Sequence, residues 1–394
     1  MKDVVDGLEL GNDFVQWLPR SLCLHIFSYL DVVSLCRCCQ ASKAWKDAAD
    51  DVSLWKALCN RPEWATSSPD RLFAFIDKKA NSTILDWKAA FAERYRIRNN
   101  WLTGRCHVRT FEGHTQGVSC VQFDETRIVS GSSDKTIKVW NMRTNSHLAV
   151  QTLVGHSGTV RCLYLCANQL VSGSTDCTIK IWDLSDSLTW SSIACRATLQ
   201  GHTDAVRCVS VHDSRLVSGS YDKTLKVWDM TTRECVQTLA GHDAAVLCVQ
   251  QNEETIVSGS CDKTIKIWRD GRCIGTLIGH ADAVTCVQLD YKRIISGSVD
   301  CTIKFWENDT CAKTIDWMAS EGHTGVVRCI QTDRWRMVSA SDDKTIKIWS
   351  STNGKRLVTL KKHSDGVTCI QFNDKMIVSG SYDKTVKLWD FSSC

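Results

Sequence analysis

Residues 201–229 read GHTDAVRCVSVHDSRLVSGSYDKTLKVWD, and this stretch decides the fold. His202 follows a glycine, Asp222 lies 20 residues on, and Trp228 six further. Between them, Val206 to Val211 and Arg215 to Ser220 alternate and are rich in β-branched residues, so they read as short strands. The Gly-Ser-X-Asp and Asp-Lys-Thr runs supply tight turns. The same frame recurs along the chain, with histidines at 114, 156, 202, 242, 280, 323 and 363 and tryptophans at 140, 182, 228, 268, 306, 349 and 389. The tryptophans are 42, 46, 40, 38, 43 and 40 residues apart. Each repeat is one small strand unit, too small to bury its own apolar face, and stacking against neighbours solves that.

The rest of the composition excludes several classes. The 394 residues carry 48 Lys and Arg against 44 Asp and Glu, a balance that gives no reason to expect a nucleic-acid or membrane-surface binder. No apolar run is long enough to cross a bilayer, and no secretory signal is visible at the N-terminus. Of the 22 cysteines, seven (Cys120, Cys162, Cys208, Cys248, Cys286, Cys329, Cys369) occupy one repeat slot, where a reduced thiol serves as a small buried apolar group. The expectation is a reducing, intracellular setting, cytoplasm and/or nucleus. Cys36, Cys38 and Cys39 lack the paired partners that a zinc site needs and read as helix packing. Asn81-Ser82-Thr83 and Asn308-Asp309-Thr310 match the glycosylation pattern by chance in such a compartment. No P-loop, nucleophile elbow, metal cluster or cofactor motif is present, so the expectation is a chain with no catalytic residues, metal or cofactor.

The period, the Gly-His pairs and the Trp-Asp ends resemble WD repeats over residues 105–394. Trp-Asp is kept at Asp183, Asp229 and Asp390; Asn141, Arg269, Glu307 and Ser350 stand there elsewhere. The fold class expected is an all-β seven-bladed WD-repeat propeller preceded by an N-terminal α-helical F-box and a helical linker. The last blade ends at Asp390 with four residues left, so strand 105–111 is expected to complete blade seven and close the ring. The resemblance implies that sets such as His114, Asp134, Trp140 and His202, Asp222, Trp228 are structural ties within a blade, not catalytic triads.

After an N-terminal tail (1–13), residues 14–60 have another character. Leu22, Ile26, Phe27 and Leu30 form a helical stripe after Pro19, which fits a first helical turn. Asp31 is expected to cap a helix carrying Leu35 and Cys39, and Ser42 one carrying Trp45 and Ala49. Leu18-Pro19, Ile26-Phe27-Ser28-Tyr29-Leu30-Asp31, Ser42-Lys43-Ala44-Trp45 and Asp50-Asp51-Val52-Ser53-Leu54-Trp55 together resemble an F-box. That resemblance implies docking to a Skp-type adaptor, and through it to a cullin/RING ligase core, by Leu18, Pro19, Leu22, Ile26, Leu30, Leu35 and Trp45. In the linker, 61–104, one helix is expected from Ser68-Pro69-Asp70 and another with Trp87, Phe91 and Tyr95 on one stripe. Such a link implies a fixed placement of the two domains. Its Arg94, Arg96 and Arg98 read as a solvated face rather than an RNA contact.

An F-box with a WD propeller is similar to the substrate receptors of SCF ubiquitin ligases. The resemblance implies a non-catalytic substrate-recognition subunit binding target proteins, phosphorylated ones included; the rival is a WD-repeat scaffold without a ligase role. Two repeat slots near the channel carry the expected contacts. The residue before the repeated Cys is Ser119, Arg161, Arg207, Leu247, Thr285, Arg328 and Thr368; the X of Ser-X-Asp is Ser133, Thr175, Tyr221, Cys261, Val299, Asp342 and Tyr382. Arg161, Arg207 and Tyr221 match phosphate-binding positions of the family, with Thr175 where a third arginine often stands. Arg328 is a candidate for an acidic flank, and Tyr382 lines the same face.

Overall fold

The computed structural model describes residues 13–61, 64, 86–144, 146–185, 195–290 and 293–394. The tail before Asp13, the helix expected from Ser68 and the Asn81 triplet lie outside the described residues. The chain divides into two compact units, Met1–Asn99 and Asn100–Cys394.

In the first unit, short helices follow one another: α1 (Phe14–Trp17), α2 (Arg20–Ser28), α3 (Val32–Ala41), α4 (Lys43–Ala49) and α5 (Val52–Cys59). The longer α6 (Trp87–Thr103) begins here. Caps set the boundaries. Asp31 accepts from the Ser34 N–H at 2.7 Å, Ser42 from that of Trp45 at 3.2 Å, and Asp51 from that of Ser53 at 3.0 Å. Pro19 sits at the N-cap of α2, one position before its first turn. Phe27, Leu35, Ala49, Leu54, Trp55, Leu58 and Phe91 form the core, and the Trp55 indole donates to the Ala49 carbonyl at 2.8 Å. Arg94 is no solvated cation: it donates to the carbonyls of Cys59 and Trp64 at 2.7 and 3.1 Å. Arg98 lies 4.6 Å from the Trp64 ring centre.

The second unit is seven four-stranded antiparallel sheets. In each blade the repeated Val-X-Cys segment is the first strand, and first strands of adjacent blades pack around a lumen. Six blades are contiguous in sequence; the seventh takes its fourth strand from the other end of the unit. There His107–Phe111 pairs with Val386–Asp390, in register from His107 opposite Asp390 to Phe111 opposite Val386. Side chains reinforce this closure. Thr368 donates to the Val118 carbonyl at 2.6 Å, and Gln371 accepts from the Phe123 N–H at 2.5 Å. On the opposite face Trp101 is fully buried, stacked 3.9 Å from Phe391, with the Arg336 guanidinium 3.6 Å from its ring centre.

Candidate ligand-binding mouth

Each blade ties its turns together in the same way. In blade one, His114 Nδ1 lies 2.7 Å from Asp134 and Nε2 lies 2.8 Å from Ser130 Oγ, which also accepts from the Trp140 indole at 2.9 Å. A carboxylate can only accept, so Nδ1 carries the proton and Nε2 accepts from the serine. In blade three, His202, Asp222, Ser218 and Trp228 repeat these bonds. Burial alone would raise the Asp134 carboxyl. Hydrogen bonds from His114 and Thr136 outweigh it and hold the group well below the usual carboxylate range. Every polar atom of the set has a partner inside the blade. It fixes where the Gly-His loop and the Ser-X-Asp turn sit, and those two segments form one face of the ring.

The two variable slots meet on that face. In all seven blades the residue before the repeated Cys is an extra residue in its strand, a β-bulge: the register slips between Val118 and Cys120, Val160 and Cys162, Val206 and Cys208, and likewise around the ring. A bulge re-aims one side chain without disturbing the ladder on either side, which makes this slot free to vary. The Ser-X-Asp residue is pinned beside it: the N–H of Tyr221 donates to Ala205, of Thr175 to Thr159, and of Tyr382 to Gly366.

The slot has two uses that sequence alone does not separate. Ser119, Thr285 and Thr368 bond to the next blade, at the carbonyls of Val160, Val327 and Val118. Arg161, Arg207 and Arg328 carry charge instead, with different fates. Arg328 forks onto Asp342, with Nε 2.9 Å and Nη2 2.6 Å from the carboxylate oxygens. This pair offsets its charge within the blade. Arg161 and Arg207 have no side-chain partner among the described residues, and Arg161 Nε is buried and unbonded. The Arg207 charge pulls the thiols of Cys120, Cys162, Cys208, Cys248, Cys286 and Cys329 downward, on six of the seven blades. Arg161 pulls Cys162 the same way, and the two arginines fill the same bulged slot on first strands of adjacent blades, which pack together. Burial still dominates at the thiols and pushes Cys208 up to about 12, which leaves this ring of sulfurs protonated and inert. Tyr221 and Tyr382 are 36% and 43% exposed at the mouth, and Thr175 is half-buried.

In the helical unit, α2 has two apolar faces. Cys23 and Phe27 point into the core, while Leu22 and Ile26, also four residues apart, are 49% and 41% exposed. Pro19 is exposed beside them and Leu18 is half-buried. Trp17 and Tyr29, which the sequence reading left out, are 63% and 77% exposed. Leu35, at 1% exposure, is a core residue packed with Phe27 and Leu58. Trp45 and Leu30 are partly buried against the same core, the Trp45 ring 5.1 Å from Phe14 and its indole bonded to Asp13 at 2.6 Å.

The family model for the WD domain, G-beta repeat, matches residues 105–141, 148–183, 193–229, 233–269, 271–307, 310–350 and 354–390. The chain belongs to the WD-repeat family. The F-box-like family model matches residues 16–61, so this WD-repeat protein carries an F-box-like region as well. The "Probable E3 ubiquitin ligase complex SCF subunit sconB" of Arthroderma otae is 33% identical over 160 residues, covering 34% of this chain and 24% of the relative. An F-box protein of Saccharomyces cerevisiae is 32% identical over 150 residues, covering 34% of this chain and 23% of the relative. The chain spans about a quarter of the length of these curated relatives. Among solved structures, "Crystal structure of WD40 beta propeller domain of Doa1" superposes with a TM-score of 0.65 at 27% identity, covering 73% of this chain and 97% of that one.

Proposed function

We propose that this WD-repeat protein is a non-catalytic substrate-recognition subunit of an SCF-type ubiquitin ligase, acting inside the cell. Its F-box-like unit docks a Skp-type adaptor through Trp17, Leu18, Pro19, Leu22, Ile26 and Tyr29, and the adaptor bridges to a cullin/RING core. The mouth of the propeller holds the target. Two arginines in one slot of adjacent first strands, with no carboxylate partner among the described residues, favour a doubly charged, multi-oxygen anion, and each can fork onto phosphate oxygens. Tyr221 adds a hydroxyl. The ligand is therefore a phosphorylated segment of a protein. The chain's contribution is proximity, since tethering raises the effective concentration of target lysines to about the millimolar range.

The observation that carries this reading is the pair Arg161 and Arg207, in one bulged slot of adjacent first strands and without a side-chain partner among the described residues, in a chain that also exposes an apolar ridge on F-box-like helices. The test uses purified components. A Skp-type adaptor binds the full chain and is lost with Leu22→Asp/Ile26→Asp, whose sites are exposed and outside the core. A phosphothreonine peptide pool is retained by the wild type and lost with Arg161→Ala/Arg207→Ala. Adaptor capture that survives the first change would turn the reading toward a scaffold without a ligase role.

A further inference from the structure

One connection on the mouth face departs from the repeat. From the last buried residue of the outer strand to the next Gly-His histidine, Leu199 to His202 and Leu239 to His242 are three positions apart, and the other regular blades match. Ile315 and His323 are eight apart. The extra residues hold Trp317 and Met318, 57% and 76% exposed.

The loop is built rather than loose. Asp316 accepts from the Ala319 N–H on its side chain at 2.6 Å and from the Gly322 N–H on its carbonyl at 2.8 Å. A Cβ on Gly322 would stand 2.5 Å from the Asp316 backbone, so only glycine lets the two ends meet. Glu321 pairs with Arg356. In blades two and three the third-strand lysine bonds a threonine on its own outer strand, Lys180 to Thr198 at 2.8 Å and Lys226 to Thr238 at 2.9 Å. In blade six Lys347 donates to the Glu321 carbonyl instead, at 3.2 Å. Blade six has thus redirected a repeat lysine to hold up a turn whose apex is a tryptophan and a methionine in water.

The loop runs directly into His323, whose ring bonds Asp343 beside Asp342, so it stands at the mouth end of the blade. The bulged slot differs around the ring: blades two and three carry Arg161 and Arg207 without a side-chain partner among the described residues, whereas blade six has Arg328 paired with Asp342. We propose that the Asp316–Gly322 loop is a second subsite, taking a bulky apolar side chain of the same extended peptide whose phosphate is held by Arg161 and Arg207. This rests on the reading of the mouth given above. Inner and outer strands of a blade are roughly 14 Å apart at about 4.8 Å per strand, and crossing the lumen brings the separation to roughly 20–25 Å, or about six to eight extended residues. Apolar contact at that distance from a charged anchor supplies sequence selectivity that two arginines alone cannot.

The test is an oriented peptide library with a fixed phosphothreonine and eight degenerate positions on each side, presented to the full chain beside the same library unphosphorylated. The wild type is expected to enrich Trp, Phe, Leu or Met at one position about six to eight residues from the phosphate. Trp317→Ala/Met318→Ala erases that enrichment and keeps the phosphate preference. With the best single peptide, the double variant weakens binding by about 5–20-fold, and alanine in the peptide's apolar position then adds no further loss. Phosphopeptides retained with no apolar selection, or selection unchanged in the variant, overturn the subsite and leave the arginine site standing. A change in oligomeric state with peptide selection intact assigns the loop to self-association and also overturns it. Apolar selection lost in the variant but equal in both libraries keeps the subsite and removes the phosphate reading; no retained peptide removes both.

Discussion

Gly219 shows how little room the ring leaves at a single residue. A Cβ there would lie 2.7 Å from Cys208 Sγ and 2.7 Å from Val246 Cγ1 of the next blade. Blade six carries Ala340 in the same slot, fully buried, and there Cys329 is half-buried while its counterparts in the other blades are buried. The Cys329 thiol there lies against the Ile370 carbonyl, whereas those of Cys120 and Cys248 lie against the Val160 and Val284 carbonyls. Gly219→Ala is therefore expected to destabilise the propeller by about 1–3 kcal/mol, the usual range for forcing a methyl into a packed core. Cys208→Ser does not relieve this, since its polar oxygen occupies the same space; Cys208→Gly/Gly219→Ala recovers part of it. Equilibrium urea unfolding of the three variants reads the difference, and a neutral Gly219→Ala would mean that the blades slide apart more easily than their packing implies.

At the scale of the element, closure is the vulnerable feature. Phe111 is fully buried in the strand that completes blade seven, 5.7 Å from Trp140 of blade one. Leu239 fills the equivalent place in blade three, on a strand continuous with its own blade. Phe111→Ala removes about 3–5 kcal/mol of packing and Leu239→Ala about 2–5 kcal/mol. Only Phe111→Ala is expected to speed amide hydrogen exchange in both 107–111 and 386–390, because that pairing joins the two ends of the unit. Exchange spread evenly round the ring would count against a special role for the seam. Much of this was legible in the sequence: the recurring His, Asp and Trp define the blades, and the outer-strand segment 105–111, with no earlier blade to join, points to a borrowed strand. The helical unit was less so. Leu22 and Leu35 are equally apolar and both sit on helical stripes, yet one faces solvent and the other Phe27, since helix phase is decided by neighbours rather than by the local pattern. Likewise Ser, Thr and Arg at the bulge read as variation. Only the structure separates ties to the next blade from free cations, and only it reveals that Asp342 occupies Arg328.

For the whole molecule, seven copies of one buried tie make stability a collective function of pH. Asp134, Asp176, Asp222, Asp262, Asp300, Asp343 and Asp383 all titrate below their ordinary range in the fold, where hydrogen bonds from the repeat histidine and threonine outweigh burial. A depressed carboxyl stabilises above its unfolded value of about 3.9 and loses that contribution as pH falls toward the folded one. His202, His242 and His323 are also depressed, by burial ahead of the opposing pull of their aspartates. For these the unfolded chain takes up protons first, so their contribution is complete above about pH 6.5 and declines below it. Both signs agree. The propeller's unfolding midpoint is expected to be highest near pH 7, to slope gently downward below about 6.5, and to fall steeply below about 4. His202→Gln, which cannot be protonated, costs stability at neutral pH and reduces the gentle slope by its own share of the three, while the steep limb keeps the six other histidine-bonded aspartates. Calorimetric scans at half-unit pH intervals separate the two limbs. A midpoint that rises on acidification from pH 6.5 to 4 would contradict the buried neutral histidines on which the blade geometry depends.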